Sequence, residues 1–429
     1  MKAEIKQRIA QFNNGEVPSG YKKTEFGVFP CDWVVDKTFG NLFDFYGGLG
    51  KSRDELGDEG HAYLHYGDLH RGAFNVVSHE QYKHLPKYDV TLNGTETYLM
   101  EDGDVAFLDA SEDLEGTSRA VVIDNPDNDP FIAGLHIIYG KSKDDSLDKW
   151  YKQYITLPES VRKQFQKLAV GFKVYGLNRE TLPKIHIAYP ESAKEQSKIA
   201  EILMKWDEAI ELQEKQLDNL KVKKDAVLQR LIKKDDSWLK ISLRNILKER
   251  TEFATKDDGY PHVTLSKSGV AKKTEQYNRD FLVKSEDKKY KITRHNDICY
   301  NPANLKFGVI CINKLTEESI FSPIYITYEV DPKYNVDFIG AVLCSTDFIR
   351  YIRKYEEGTV YERQAVKSSD FLRGEIWVPA TKGEQDKIAS IIKKIDDYIE
   401  IEQQKYEALC TQRKALQQYL LNGIVRVNK

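Results

Sequence analysis

Asn301-Pro302-Ala303-Asn304 begins as an adenine methyltransferase motif would, since that chemistry uses an Asp or Asn, two prolines and an aromatic to hold a flipped base. The second proline and the aromatic are missing, and no glycine-rich loop after a strand offers a cofactor seat, so the tetrapeptide reads as an Asn-Pro turn after the apolar run DICY. Gly47-Gly48-Leu49-Gly50-Lys51-Ser52 ends like a phosphate-binding loop, but Phe45 stands where the pattern needs its first glycine. This segment reads as a glycine-rich turn; its functional variant sets its backbone amides, with Lys51, Ser52 and Arg53, against a phosphate. His61, His65 and His70 lie in a strand-like alternation without cysteine or HExxH spacing, which argues against zinc. The acidic stretch with Asp104, Asp109, Glu112, Asp113 and Glu115 lacks the lysine pairing of a magnesium-dependent nuclease and reads as a solvated turn. No catalytic residue and no metal ligand is assigned.

Elements must then account for a chain of 429 residues, about three domain lengths at roughly 150 residues each. Hydrophobic content of 41% supports packed cores, and 31% charged residues with 13 prolines does not describe a disordered chain. The five cysteines (Cys31, Cys299, Cys311, Cys344 and Cys410) are scattered and form no CxxC pair, so they are expected to be reduced. No apolar run reaches the ~18 residues of a membrane helix, and the opening MKAEIKQRIAQFNNGE has no signal-like core, so a cytoplasmic location away from membranes is expected. A net charge of −3 argues weakly against nucleic acid, yet nine Lys or Arg against four acids between Val263 and His295 make a local basic run.

An internal repeat organises the chain. Residues 190–232 align without a gap on residues 379–421, and Pro190, Glu195, Gln196, Lys198, Ile199, Ala200, Asp207 and Ile210 are among those that meet the identical residue 189 positions later. Apolar residues fall at coiled-coil spacing in both copies: Ile199, Leu203, Trp206, Ile210, Leu217 and Leu220 in one, Ile388, Ile392, Ile395, Ile399, Leu409 and Leu416 in the other. The two helices are expected to pack on each other, antiparallel, with Gln213 or Glu402 facing Arg413 or Lys224 across the seam. At ~1.5 Å per residue, roughly 37 helical residues span roughly 55 Å, more than a ~35 Å turn of duplex DNA, so the helices could serve as a ruler.

Between the helices lie globular regions with like openings, CDWVVDKTFGNL with Trp33 and DSWLKISLRNIL with Trp238. Each has short β runs (DVAFLD, AVVI and GLHIIY; DICY, GVICI and PIYITYEV) and ends in a proline-closed strand, IHIAYP or EIWVP. The expected fold is α/β in the α+β sense: an N-terminal helical segment (1–15), a globule (16–189), a spacer helix (190–235), a second globule (236–378) and a second spacer helix (379–429), with pseudo-two-fold internal repetition. Gly171 and Gly358 are expected to mark matching turns before the closing strands.

Two divergent globules, each followed by a near-identical P-x4-EQ-x-KIA helix, resemble the specificity subunit of type I restriction-modification systems across essentially the whole chain. The lead-in VPSGYKKTEFGVFPCDWVV (Val17 to Val35) and the phrase HAYLHYGDLHRG (His61 to Gly72) add to the resemblance. It implies a non-catalytic reader of double-stranded DNA, in which each globule is a target-recognition domain for one half of a split, asymmetric target and the helices space the halves. It further implies that two methyltransferase (modification) subunits dock on the helices, with restriction motor-nuclease subunits as further partners. S-adenosylmethionine would belong to the methyltransferase and no cofactor to this chain. Base reading needs hydrogen-bonding side chains on loops between strands. The candidates are Lys51, Ser52, Arg53, Tyr66, Arg71, Lys173 and Tyr175 in the first domain, and Lys267, Lys272, Lys273, Asn304, Lys306, Arg363 and Gln364 in the second. The alternative is a coiled-coil scaffold or protein-interaction module without DNA specificity. A methyltransferase or nuclease in its own right is disfavoured by the missing motifs.

Overall fold

The computed structural model describes residues 3–427 except 72–75, 79–83, 90–97, 109, 112–118, 128, 130, 169–174, 177–178, 256–257, 268, 273–288 and 357–363. The chain forms two compact units, one of residues 1–212 with 406–429 and one of residues 213–405, so each long helix contributes to both.

The first unit opens with helix Ala3–Asn13, and its globular part is bracketed by strands Trp33–Thr38 and His186–Pro190, which pair antiparallel. Within it, a five-stranded sheet runs in the order Phe43–Gly47, Ile137–Ser142, Val105–Leu108, Ala120–Asp124, Val76–Ser78. Beside it stands a four-stranded sheet in which Phe131–Ala133 pairs parallel with His61–Leu64. All four residues of Val105–Leu108 are buried, which is why this stretch is continuously apolar rather than alternating. The turn before it places Gly103 at φ +80°, and the Asp104 carboxylate accepts the Glu101 N–H at 2.8 Å.

The second unit repeats this plan in a divergent sequence. Strands Leu239–Ser242 and Glu375–Val378 bracket the globule, and the main sheet runs Leu247–Glu249, Ile326–Val330, Ile298–Tyr300, Ile310–Ile312. The turn before the central strand recurs as well: Asn296 takes φ +68° and Asp297 accepts the Arg294 N–H at 2.7 Å. A parallel bridge joins His262 to Ile320.

The long helices run Ala193–Leu231 and Lys382–Leu421. Ser192 and Thr381 stand at their starts, each three residues before a Glu, and their hydroxyls accept the Glu195 and Glu384 N–H groups at 3.4 Å. The next residue explains the repeated Glu-Gln. Gln196 is fully buried, donates to the Pro190 and Ser146 carbonyls at 2.8 and 2.9 Å, and accepts the Asp148 N–H at 2.7 Å. Gln385 does the same in the second unit, donating to the Pro379 carbonyl at 3.3 Å and accepting the Asn335 N–H at 2.9 Å. One amide thus ties the helix start to the closing strand and to the globule.

In each unit the two long helices pack as an antiparallel pair. Ile199, Leu203, Leu217, Ile388 and Ile392 are buried, and Trp206, Ile210, Leu220, Ile395, Ile399, Leu409 and Leu416 are partly buried, so every predicted seam residue is at least partly covered. The polar register differs from the sequence expectation. Gln213 does not meet a base but its own repeat partner, its amide donating to the Glu402 carboxylate at 2.6 Å. Arg413 instead grips Asp207 at 2.8 and 3.1 Å in the first unit, and Lys224 pairs with Asp396 at 2.5 Å in the second. Two Gln or Glu side chains at the repeat midpoint can share one hydrogen bond, while the longer cations reach carboxylates further along the seam.

Candidate nucleic-acid interface

In the first unit the glycine-rich turn is shaped by close backbone approach. A Cβ on Gly48 would lie 1.9 Å from the Gly134 carbonyl oxygen, and one on Gly134 would lie 2.2 Å from the Leu64 carbonyl oxygen, so neither position admits a larger residue without rearrangement. The buried Tyr63 hydroxyl closes the arrangement, accepting the Lys51 and Leu135 N–H groups at 3.1 and 2.8 Å and donating to the Leu49 carbonyl at 2.5 Å. Leu49 N–H bonds the Ala133 carbonyl at 2.7 Å and Ser52 N–H the Glu55 carboxylate at 2.9 Å. These bonds use the Leu49, Lys51 and Ser52 amides within the protein. The Ser52 amide and then the Lys51 ammonium hold the Glu55 carboxyl down to about 2.

Lys51, Ser52, Arg53 and Tyr66 are brought into one surface region. Arg53 pairs with Asp68 at 3.0 Å, and Asp68 also accepts the His65 N–H at 3.1 Å. Tyr66 is exposed, with its ring 4.5 Å from that of His65 and edge-on to His136 at 5.3 Å. His65 accepts the Gly67 N–H at 3.1 Å, and burial lowers its pKa. His136 adopts a left-handed φ of +62°, a strained conformation for a non-glycine residue. Sequence reasoning missed His136 and Asp68 as members of this cluster; nothing in local spacing joins residue 136 to residue 66. The segment read as strand-like alternation is a strand only over His61–Leu64, and Tyr66–Arg71 is a helix whose last residue is the candidate Arg71. Tyr175 stands on a short strand paired with Ala110–Ser111, while Lys173 and Gly171 lie outside the described residues.

In the second unit, the hairpin Val263–Ser266 with Gly269–Lys272 carries Lys267 in its turn and the exposed Lys272 at its end. The loop after the central strand Ile298–Tyr300 carries Asn304 and Lys306, and Lys267 lies against its Gly308, 3.9 Å from where a Cβ would sit. Gln364 is exposed just ahead of Val366, whose N–H bonds the Pro302 carbonyl at 3.2 Å and whose carbonyl accepts the Tyr300 hydroxyl at 3.0 Å. Three separate stretches therefore meet around Asn301–Val309. Lys273, Arg363 and Gly358 lie outside the described residues.

The basic run is smaller as a surface than as a sequence. Lys291 is buried and paired with Glu249 at 3.1 Å, and Arg294 is shared between Glu252 at 2.6 Å and Glu318 at 2.7 Å. Arg250 makes a bidentate pair with Asp297 at 2.8 and 3.0 Å. Lys267 and Lys306, by contrast, have no ion pair among the described residues. Among those residues, too, no three His, Cys, Asp or Glu side chains gather as a metal site, and no helix is long and apolar enough to cross a membrane.

Residues 69–222 match the family model described as Type I restriction modification DNA specificity domain. The chain is 24% identical over 212 residues to the type I restriction enzyme MjaVIII specificity subunit of Methanocaldococcus jannaschii, a match covering 49% of this chain and 48% of that one. It thus spans about half the length of that relative. The putative MjaX specificity subunit of the same organism is 21% identical over 449 residues, covering 95% of this chain and 97% of that one. Among solved structures, a type I restriction-modification S subunit from M. genitalium shares the fold at TM-score 0.50 and 14% identity, over 91% of this chain and 96% of that one. A chain from a structure addressing complex assembly and conformational transition of the type I R-M system aligns at TM-score 0.56 and 10% identity, over 96% of this chain and 100% of that one. With the specificity-domain model matched over residues 69–222, similarity to a specificity subunit along nearly the full length and a shared fold of alternating globules and long helices, the chain is similar to the specificity subunits of type I restriction-modification systems.

Proposed function

We propose that this chain reads a bipartite, asymmetric sequence in double-stranded DNA without doing chemistry on it, through recognition domains at residues 16–189 and 236–378. The spacer helices, residues 190–235 and 379–429, would hold the two domains at a set separation and seat two methyltransferase subunits. Restriction motor-nuclease subunits would complete the assembly in the cytoplasm, and S-adenosylmethionine would enter with the methyltransferase.

The observation that carries this reading is the duplication: two globules of like topology and unlike sequence, each tied by a buried glutamine to a near-identical helix. A scaffold preserved twice beside surfaces that differ is what a reader of two different half-sites on two equivalent docking sites requires. Exposed apolar residues at repeat-equivalent helix positions, Leu212 (67%) and Ile401 (59%), favour a protein partner on those helices over solvent alone.

The test is co-expression with the genomically adjacent methyltransferase, followed by mapping of methylated adenines on host DNA. A bipartite motif that changes in one half when residues 236–378 are exchanged for those of a relative is the expected outcome. Methylation unaltered by deletion of this chain would leave only a scaffold.

A further inference from the structure

Resting on the reading of the second unit as a DNA-recognition domain, we propose that Phe307 is its apolar base-reading residue, pressed onto a DNA base while Lys306 and Lys267 face the adjoining phosphates. The ring is 61% exposed, more than Phe253 (47%), Tyr398 (46%) or Tyr66 (37%). An aromatic so placed is ordinarily mobile or folded back onto its own surface, but here the backbone beneath it is held from several sides.

Leu305, two residues earlier, is buried in the core at 1% exposure. The Asn301 N–H bonds the Val309 carbonyl at 3.1 Å, the Asn301 side chain accepts the Ala303 N–H at 3.1 Å, and the Phe307 N–H bonds the Asn304 carbonyl at 3.0 Å. Gly308 at φ +83° then turns the chain back, a conformation that glycine adopts without strain. A pre-ordered loop presenting an apolar ring loses little conformational freedom when a ligand covers it.

Charge identifies what would cover it. The Lys306 ammonium stands 5.4 Å from the ring centroid, and Lys267 reaches the same turn from the neighbouring hairpin. Neither cation has an ion pair among the described residues, in contrast to the compensated Lys291 and Arg294. A flat apolar surface flanked by two free ammonium groups matches a base beside its phosphates, whether the ring meets a thymine methyl or enters the base stack.

The probe is a duplex of about 40 base pairs carrying the target found by methylation mapping, compared with the same duplex scrambled in the half assigned to residues 236–378. The protein is the full chain assembled with its methyltransferase. Phe307→Ala is expected to weaken target binding about 10- to 100-fold while leaving the scrambled duplex and the salt dependence unchanged. Lys306→Ala should weaken both duplexes and lower the salt slope by about 1. Both variants keep the parent's thermal midpoint, because both side chains lie outside the core. Loss of affinity on replacing thymine by uracil identifies methyl contact, whereas permanganate-reactive thymines that disappear with Phe307→Ala identify stacking. Undiminished target binding by Phe307→Ala, equal weakening on both duplexes, or weakening with neither signature overturns the proposal. A parent complex that does not distinguish the two duplexes would instead overturn the DNA-reading assignment of this domain.

Discussion

At residue scale, Asp104 and Asp297 show how one turn is kept while its electrostatics diverge. Both carboxylates accept a backbone N–H from three residues earlier, but only Asp297 has a guanidinium, Arg250, to compensate its charge. Asp104 is buried without such a partner, and desolvation first of all pushes its pKa up to about 6, opposed by the Glu101 N–H bond and by the Lys141 and Lys152 charges, while the Glu101 carboxylate adds a smaller rise. Because the folded value lies above the unfolded one, the native state holds the proton more tightly. This contribution to stability is fully present below about pH 4 and is lost as pH rises through about 6. Asp104→Asn keeps an acceptor for the Glu101 N–H and removes the titration. The variant is expected to exceed the parent in urea midpoint at pH 7, by an amount equivalent to about 1–3 kcal/mol, and to lose that advantage at pH 4. An advantage of equal size at both pH values would contradict the account.

At the scale of the helices, periodicity was enough to identify the seam residues but not to pair its polar ones. A buried or half-buried polar side chain at a seam position must find a partner, and which one it finds depends on axial offset that a single helix does not encode. Arg413 is the clearest case. It bonds Asp207 through two nitrogens, also contacts Gln417, and lies over the Tyr154 ring, whose hydroxyl bonds the same Asp207 at 2.9 Å. Arg413→Asp is expected to cost about 2–4 kcal/mol in thermal or urea unfolding, and combining it with Asp207→Arg should recover a substantial part. A double variant no more stable than Arg413→Asp alone would rule out this register.

At the scale of the whole molecule, the proposed ruler makes a geometric demand. Removing one heptad from each long helix at repeat-equivalent positions keeps the seam in phase and shortens each helix by about 10 Å. Methylation mapping should then show the gap between half-sites reduced by about 3 base pairs, at ~3.4 Å per pair. An unchanged gap would show that the helices join the domains without measuring their separation.

The duplication, the two long helices, their seam residues and most central strands were legible in the sequence because each depends on local period or on self-comparison. The four buried residues of Val105–Leu108 and the Ile298–Tyr300 strand stand out as apolar runs wherever the chain goes. The candidate interface was legible only as residue types. That His136 sits edge-on to Tyr66, that the glycine turn spends its amides on Tyr63 and Ala133, and that Arg294 and Lys291 are neutralised within the protein all depend on side chains brought together from distant stretches. Tertiary structure also decided the role of Phe307, since a phenylalanine in a β-rich globule is by composition a core residue, and only the fixed course of Asn301–Val309 leaves its ring outside.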